Sequence, residues 1–215
     1  MPNDLTVIIP TLNAAPYLPA TLAALGDGAE IIVVDGGSTD GTTAAATNTR
    51  VLNAPTGRGS QLAIGIQAAT HPWLLLLHAD TVLAPGWRAA LHTDPGKAGY
   101  FRFVLDSADP RARRLERLVA WRCRVLGLPY GDQGLLIHKH LLASVGGMSN
   151  LPLMEDVDLI RRLGRRRLVA LPADARTSAA KWERQGYLRR SARNLGCLAL
   201  WFAGVPLPLI RRLYG

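Results

Sequence analysis

The segment IIVVDGGSTDGT (Ile31–Thr42) passes from four β-branched apolar residues straight into a carboxylate, hydroxyls and three glycines within seven residues. A carboxylate at the tip of a buried strand can accept hydrogen bonds from a base edge or a ribose, while Gly36, Gly37 and Gly41 let the backbone turn tightly and approach a ligand. Asp35 is therefore a candidate ligand contact, with ordinary turn capping as the alternative. Three further polar clusters punctuate the first eighty residues: PTLN (Pro10–Asn13), PTGRGSQ (Pro55–Gln61) and HADT (His78–Thr81). Later, in PLMEDVDLIRRL, Glu155 and Asp156 precede Val157, Ile160 and Leu163 at helical spacing. They fall in a first helical turn, where the dipole keeps carboxylates ionised; an isolated pair of this kind would be plain N-terminal capping. No G-x-G-x-x-G follows the first apolar run, and no G-x-x-x-x-G-K-[ST] occurs, so neither common phosphate fingerprint is present.

The elements around these clusters alternate. LTVIIP (Leu5–Pro10) predicts a strand and YLPATLAALG (Tyr17–Gly26) a helix with Leu18, Leu22 and Leu25 on one face. EIIVVD is a second strand, an Ala/Thr-rich helix follows Thr39, and TRVLNA is a third strand. RGSQLAIGIQAAT sets Leu62, Ile66 and Ala69 at helical spacing, and WLLLLHAD (Trp73–Asp80), without polar alternation, predicts a central fourth strand. Strand and helix at this interval predict an α/β protein with a doubly wound, mostly parallel sheet. Ligands bind such sheets outside the carboxyl ends of the strands, and all four polar clusters fall there.

A chain of 215 residues, 48% hydrophobic and 19% charged, is too apolar for disorder and fits one large domain with a short appendage. Its formal charge of +9 comes mostly from residues beyond Arg102 and suits an anionic neighbour. A nucleic-acid module is disfavoured, because the basic segments lack the aromatic interleaving of a stacking platform. Cys123 and Cys197, far apart in apolar helical surroundings, suggest core thiols in a reducing compartment. The opening MPNDLTVIIP has no basic n-region or cleavable apolar segment, so the expectation is a cytoplasmic protein.

The ordered set PTLN, VDGGSTDGT, GRGSQLAIGIQAA, HAD and MEDVDL resembles the family 2 glycosyltransferases of the GT-A fold, over roughly residues 5–166. LHADT, GDQG and PLMEDVDLIRRL are similar to a short, single-domain bacterial subgroup in which H-A-D stands in place of D-x-D. The resemblance implies a GT-A domain over residues 1–180, with a nucleotide-sugar half to about residue 100 and an acceptor half after it, then a helical basic and apolar segment over 181–215. It implies a nucleotide-diphosphate-sugar donor, a UDP-sugar by preference, with Pro10, Thr11, Asn13, Asp35 and Gly37 around the nucleotide. The second aspartate of the family pattern is Gly36 here, which removes one nucleotide contact.

Asp80 matches the last aspartate of D-x-D, implying a bound Mg²⁺ or Mn²⁺ that neutralises the departing diphosphate. His78 takes the place of the first aspartate; oxygen ligands suit these metals better than imidazole, so His78 is expected to contact ribose or phosphate. Arg58, at a helix N-terminus, is an expected donor contact. The resemblance makes Asp156 the base of an inverting transfer, with Glu155 positioning acceptor or loop. Asp132 and Gln133, in YGDQGLLIH, are candidates for the acceptor side. His138 and His140 are expected to be a surface pair without a ligand role, and Asp158 a surface acid.

The stretch NLGCLALWFAGVPLPLI (Asn194–Ile210) carries no charge and lies between arginine clusters. It is short and interrupted for a membrane span. Two placements fit it: packed under the sheet as a core helix, or lying at the inner face of the cytoplasmic membrane, where a lipid-linked acceptor would be in reach. Two other activities fit parts of the pattern: a non-catalytic sugar-nucleotide-binding relative, favoured by Gly36 and His78, and a sugar-phosphate nucleotidyltransferase, whose early Gly-rich basic loop is missing.

Overall fold

The computed structural model describes residues 4–92 and 94–214; the first three residues of the N-terminal stretch lie outside it. The chain runs β1 (Leu5–Thr11), α1 (Leu18–Leu25), β2 (Glu30–Asp35), α2 (Thr42–Ala45), β3 (Arg50–Asn53), α3 (Arg58–Ala68), β4 (Trp73–Leu76) and β5 (Thr81–Leu83). It continues through β6 (Ala98–Asp106), α4 (Pro110–Leu126), β7 (Leu135–His138), α5 (Lys139–Ser144), α6 (Glu155–Leu163), β8 (Leu168–Ser178), α7 (Ala180–Gln185), α8 (Tyr187–Phe202) and α9 (Leu207–Tyr214).

These strands form one sheet in the order β3-β2-β1-β4-β7-β6-β8-β5. β3, β2, β1 and β4 are parallel, whereas β7 is antiparallel to both β4 and β6, β8 is parallel to β6, and β5 closes the far edge antiparallel to β8. Period-two alternation sends β1 residues to both faces: Leu5, Val7 and Ile9 join the cluster under α1, and Ile8 joins the one under α3, α5 and α6. With both faces covered, β1, β2 and β4 are mostly apolar, as expected for buried parallel strands. β4 ends at Leu76, four residues before the predicted limit, so that Leu77–Asp80 leaves the ladder and carries His78 and Asp80 onto the rim. The Ala/Thr helix after Thr39 is a single turn.

Two glycines of α3 are there for close approach. A Cβ on Gly59 would lie 2.5 Å from the Ser149 carbonyl, and one on Gly65 would collide with Ile8. Side chains at these positions would push α3 off the sheet and off the loop that leads into α6.

The C-terminal segment does not go beneath the sheet. α8 and α9 form a hairpin against the start of α6, burying Cys197, Leu198 and Ile210 with Met154 and Val157. Both cysteines are buried and free. The hairpin leaves Leu188, Leu195, Phe202, Leu209 and Leu213 exposed, and α4 likewise exposes Leu118, Trp121 and Val125. Among the described residues no helix is long and apolar enough to cross a membrane.

Candidate active site

Arg58 ties the rim to α6. Its Nε lies 2.5 Å from Glu155 Oε1, its Nη2 3.0 Å from Asp156 Oδ2, and its Nη1 meets His78 Nε2. An arginine can only donate, so His78 Nε2 accepts and the imidazole proton sits on Nδ1, 3.4 Å from Asp80 Oδ1. His78 and Asp80 from the turn after β4, Arg58 from α3, and Glu155 and Asp156 from α6 are thereby joined in one polar chain.

The carboxylates of that chain differ in environment. Burial would raise the Asp156 pKa, but Arg58 and the N–H groups of Gly131 (2.8 Å) and Val157 (2.8 Å) outweigh it and hold the group below the usual carboxylate value. Glu155, 3% exposed, is pushed upward by burial despite Arg58. Burial also raises Asp132, whereas at Asp80 the opposing pull of His78 and Lys181 exceeds the burial effect and lowers the pKa. Two acids are thus firmly ionised beside two that resist ionisation.

A cleft of about 400 Å³ is lined by Arg58, His78, Asp80, Asp132, Glu155 and Asp156. A second space of about 280 Å³ extends from it past Pro10, Thr11, Thr56 and Gln61, and Arg211 of α9 reaches over it.

The VDGGSTDGT loop is organised from within. Asp35 Oδ2 accepts from the N–H groups of Gly37 (2.9 Å) and Ser38 (2.8 Å), and Oδ1 accepts from Thr11 Oγ1 (3.1 Å) and Ser38 Oγ (2.5 Å). Asp35 is 3% exposed, so in this state its carboxylate shapes the turn rather than facing the open groove. Asn13, in the left-handed region at φ 51°, pins the same loop by accepting from Thr39 N–H at 2.9 Å. Gly36 faces Gln61: a Cβ there would lie 3.1 Å from Nε2, which donates to the Thr11 and Val34 carbonyls. The glutamine amide fills the room that an aspartate at position 36 would need.

The two acceptor-side candidates separate. Asp132 lines the cleft, and its Oδ1 is buried without a hydrogen-bond partner among the described residues. Gln133 turns into the core, where Nε2 donates to the Phe101 carbonyl and Oε1 accepts from Tyr130 N–H and Cys123 Sγ. Its amide locks the loop and cannot also meet an acceptor. Asp158 is not a plain surface acid either; it accepts from Ser149 Oγ and pairs with Arg162, fastening the preceding loop to α6. His138 caps α5 through Nδ1 and packs edge-on to Trp73, while His140 is exposed.

The basic lining of the cleft was missed by the sequence reading. Lys181, Arg184, Gln185, Arg190, Arg193 and Asn194 from α7 and α8 line it. The signal was the cluster RRSAR, whose helical spacing sets Arg190, Arg193, Asn194 and Cys197 on one face, but the sequence does not say what that face meets.

Comparison with solved structures identifies the fold as GT-A, as the family resemblance implied. A mannosyltransferase from Pyrobaculum calidifontis, in complex with GDP-Man and Mn²⁺, aligns over 98% of this chain and 68% of its own at TM-score 0.65 and 20% identity. Glucosyl-3-phosphoglycerate synthase from Mycobacterium tuberculosis aligns over 80% and 70% at TM-score 0.55 and 20% identity. Residues 6–92 match the model of glycosyl transferase family 2, and over that stretch the resemblance read from the motifs holds. The same part is 40% identical over 87 residues to an uncharacterised glycosyltransferase of Mycobacterium tuberculosis, covering 39% of this chain and 40% of that protein. It is 39% identical over 92 residues to a PGL/p-HBAD biosynthesis glycosyltransferase of the same organism, covering 36% of each. The matched stretch thus spans about two fifths of these curated relatives.

Proposed function

We propose that the protein is a metal-dependent, inverting glycosyltransferase that moves a sugar from a nucleotide-diphosphate donor, a UDP-sugar, to an acceptor hydroxyl. The observation that carries this reading is the meeting of Asp80 at the rim and Asp156 at the start of α6 in one cleft, linked through His78 and Arg58. The nucleotide takes the space lined by Pro10, Thr11 and Thr56, beside the Gly37 loop that Asn13 and Asp35 hold. Among the described residues no three His, Cys, Asp or Glu side chains form a complete metal cage. Asp80 would hold a divalent cation there, because it is ionised and its Oδ1 is buried beside a histidine edge. Mg²⁺ or Mn²⁺ bound there would neutralise charge on the diphosphate.

In the transfer, the acceptor oxygen forms a bond to the anomeric carbon as the bond from that carbon to the diphosphate oxygen breaks. The electron pair leaves with the diphosphate, and Asp156 receives the hydroxyl proton. Asp156 is a weak base while Arg58 holds it; an acceptor hydroxyl that replaces Arg58 at Oδ2 would raise its basicity, and Glu155 would keep the displaced guanidinium close. The Arg58–Asp156 pair also favours a second reading, a sugar-nucleotide-binding protein without turnover. Asp156→Asn separates them. Under the transferase reading it lowers nucleotide release from a donor and acceptor panel by roughly a hundredfold to ten-thousandfold with donor affinity retained. A parent that binds nucleotide with metal but turns nothing over supports the second reading.

The exposed apolar residues of α4 and α8, with arginines beside them, support a peripheral contact with the inner face of the cytoplasmic membrane and a lipid-linked acceptor.

A further inference from the structure

The basic wall of the cleft is constructed, not merely charged. Arg190 and Arg193 stand one turn apart on α8, and both donate to one oxygen, Gln185 Oε1, at 2.9 and 2.6 Å. The Arg190 guanidinium also lies 5.0 Å from the centre of the Trp182 ring, which stacks on Tyr187. An amide and an indole therefore fix two like charges on neighbouring turns, an arrangement that disfavours a helix on its own. An anion between the two forks reverses the sign of that interaction.

Position decides which anion. α8 packs Cys197 and Leu198 on Met154 and Val157, the residues that flank Glu155 and Asp156, so Arg193 lies one turn before the contact with the base. Lys181 of α7 lines the same cleft, and its charge, with that of His78, lowers the Asp80 pKa. Asp156 opens on the same cleft as the two arginines, so an acceptor whose hydroxyl reaches Asp156 would lie in the space that Arg190 and Arg193 line.

We propose that Arg190 and Arg193 form an acceptor subsite for an anionic group, so that the acceptor bears a phosphate or carboxylate near the hydroxyl that is glycosylated. This rests on the transferase reading of the cleft. Arginine forks bind both anions bidentately, which a lysine point charge does not reproduce. The anion can belong to a soluble small molecule or to a lipid headgroup.

The test is calorimetric titration of inorganic phosphate into the full chain saturated with UDP and Mn²⁺, or with GDP and Mn²⁺. Phosphate should still bind, and Arg190→Gln with Arg193→Gln should weaken it by roughly tenfold to a hundredfold, the range for losing charged hydrogen bonds. Nucleotide affinity should change less than about twofold, since the diphosphate is assigned to the cation at Asp80, and Arg190→Lys with Arg193→Lys should retain part of the phosphate binding as a control for folding. Phosphate that competes with UDP, binds parent and glutamine variant alike, or is lost in step with nucleotide affinity would overturn the proposal. If neither nucleotide binds with metal while phosphate binding still requires the arginines, the transferase reading falls and the anion site stands. Glycerol, glycerol phosphate and phosphatidylglycerol vesicles then distinguish the source. Arginine-dependent binding of glycerol phosphate but not glycerol points to a soluble acceptor, and arginine-dependent vesicle binding alone points to a lipid headgroup.

Discussion

Replacing Arg58 by Gln tests the polar chain at its centre. Arg58 is the counter-charge for Glu155, whose side chain is 4% exposed, and for Asp156 at 22%. Removing one partner of a fully buried pair costs about 3–5 kcal/mol because the other charge is stranded. Arg58 is itself 28% exposed, so water reaches part of the site, and a loss of about 2–3 kcal/mol is expected at neutral pH. For a chain of this size that corresponds to a fall of roughly 4–12 °C in melting temperature. The sign with pH follows from the two acids. The Glu155 pKa is already raised in the folded state, so its ionisation opposes folding as pH rises; without Arg58 that penalty grows. Asp156 has a lowered pKa and contributes stability above its unfolded value that is lost in acid; without Arg58 that contribution shrinks. Both effects act on ionised carboxylates, so the deficit of the variant should be largest near about pH 8 and smaller near about pH 5. Melting curves of parent and variant at both pH values measure it. A deficit independent of pH, or none at all, would refute the assignment of Arg58 as the counter-charge.

Gly131→Ala perturbs the same pair from outside: the new Cβ would overlap Arg58 Nη2, at a position where the backbone is not left-handed, so the Asp156 pKa should rise and the melting temperature fall by less than in Arg58→Gln. An NMR titration of the carboxylates that leaves Asp156 unmoved would show that Gly131 does not control the pair. Asp80→Asn should abolish Mn²⁺-dependent nucleotide binding in calorimetry with the melting temperature within a few degrees of the parent, and retained binding removes Asp80 from the metal site. For the membrane contact, Trp201 and Phe202 are poor probes, because Trp201 packs in the hairpin cluster and Arg161 lies over both rings at 5.2 and 5.0 Å. Trp121→Ser with Leu195→Ser, at positions 50% and 67% exposed, should instead abolish flotation with anionic vesicles at low salt while leaving melting unchanged. A parent that fails to float at low salt ends the membrane proposal.

The parallel half of the fold was legible because β1, β2 and β4 are mostly apolar and each is followed by a turn cluster that the sheet places on one rim. The mixed half was not. β8 carries LVALPADARTS, with a proline, an aspartate and alanines that lower strand propensity, and it is held by its long pairing with β6 across a register shift at Tyr100 and Arg102. Gln133 shows the same limit within the site. A polar residue beside Asp132 in a loop suggests solvent, yet the inward turn of Gly131–Gln133 sends its amide to the Phe101 carbonyl and the Cys123 thiol. Its destination depended on β6 and α4, thirty-two and ten residues away in sequence.

The arginines of α8 make the general point about charge. Their spacing is visible in the sequence, and the helix that carries them contains no Asp or Glu. A basic helical face next to an apolar run has two common physical uses, anionic headgroups outside or an anionic ligand inside, and local periodicity serves both equally. What separates them is the rotation of the helix. Cys197 and Leu198 face Met154 and Val157, so Arg190, Arg193 and Asn194 on the same side turn toward the cleft, and Leu188 and Leu195 turn away from it. One helix therefore offers guanidinium groups to the site and leucines to the surroundings. An acceptor with an anionic head and an apolar tail would satisfy both faces at once, because its charge would enter between the arginines while its tail remained on the outer, apolar side.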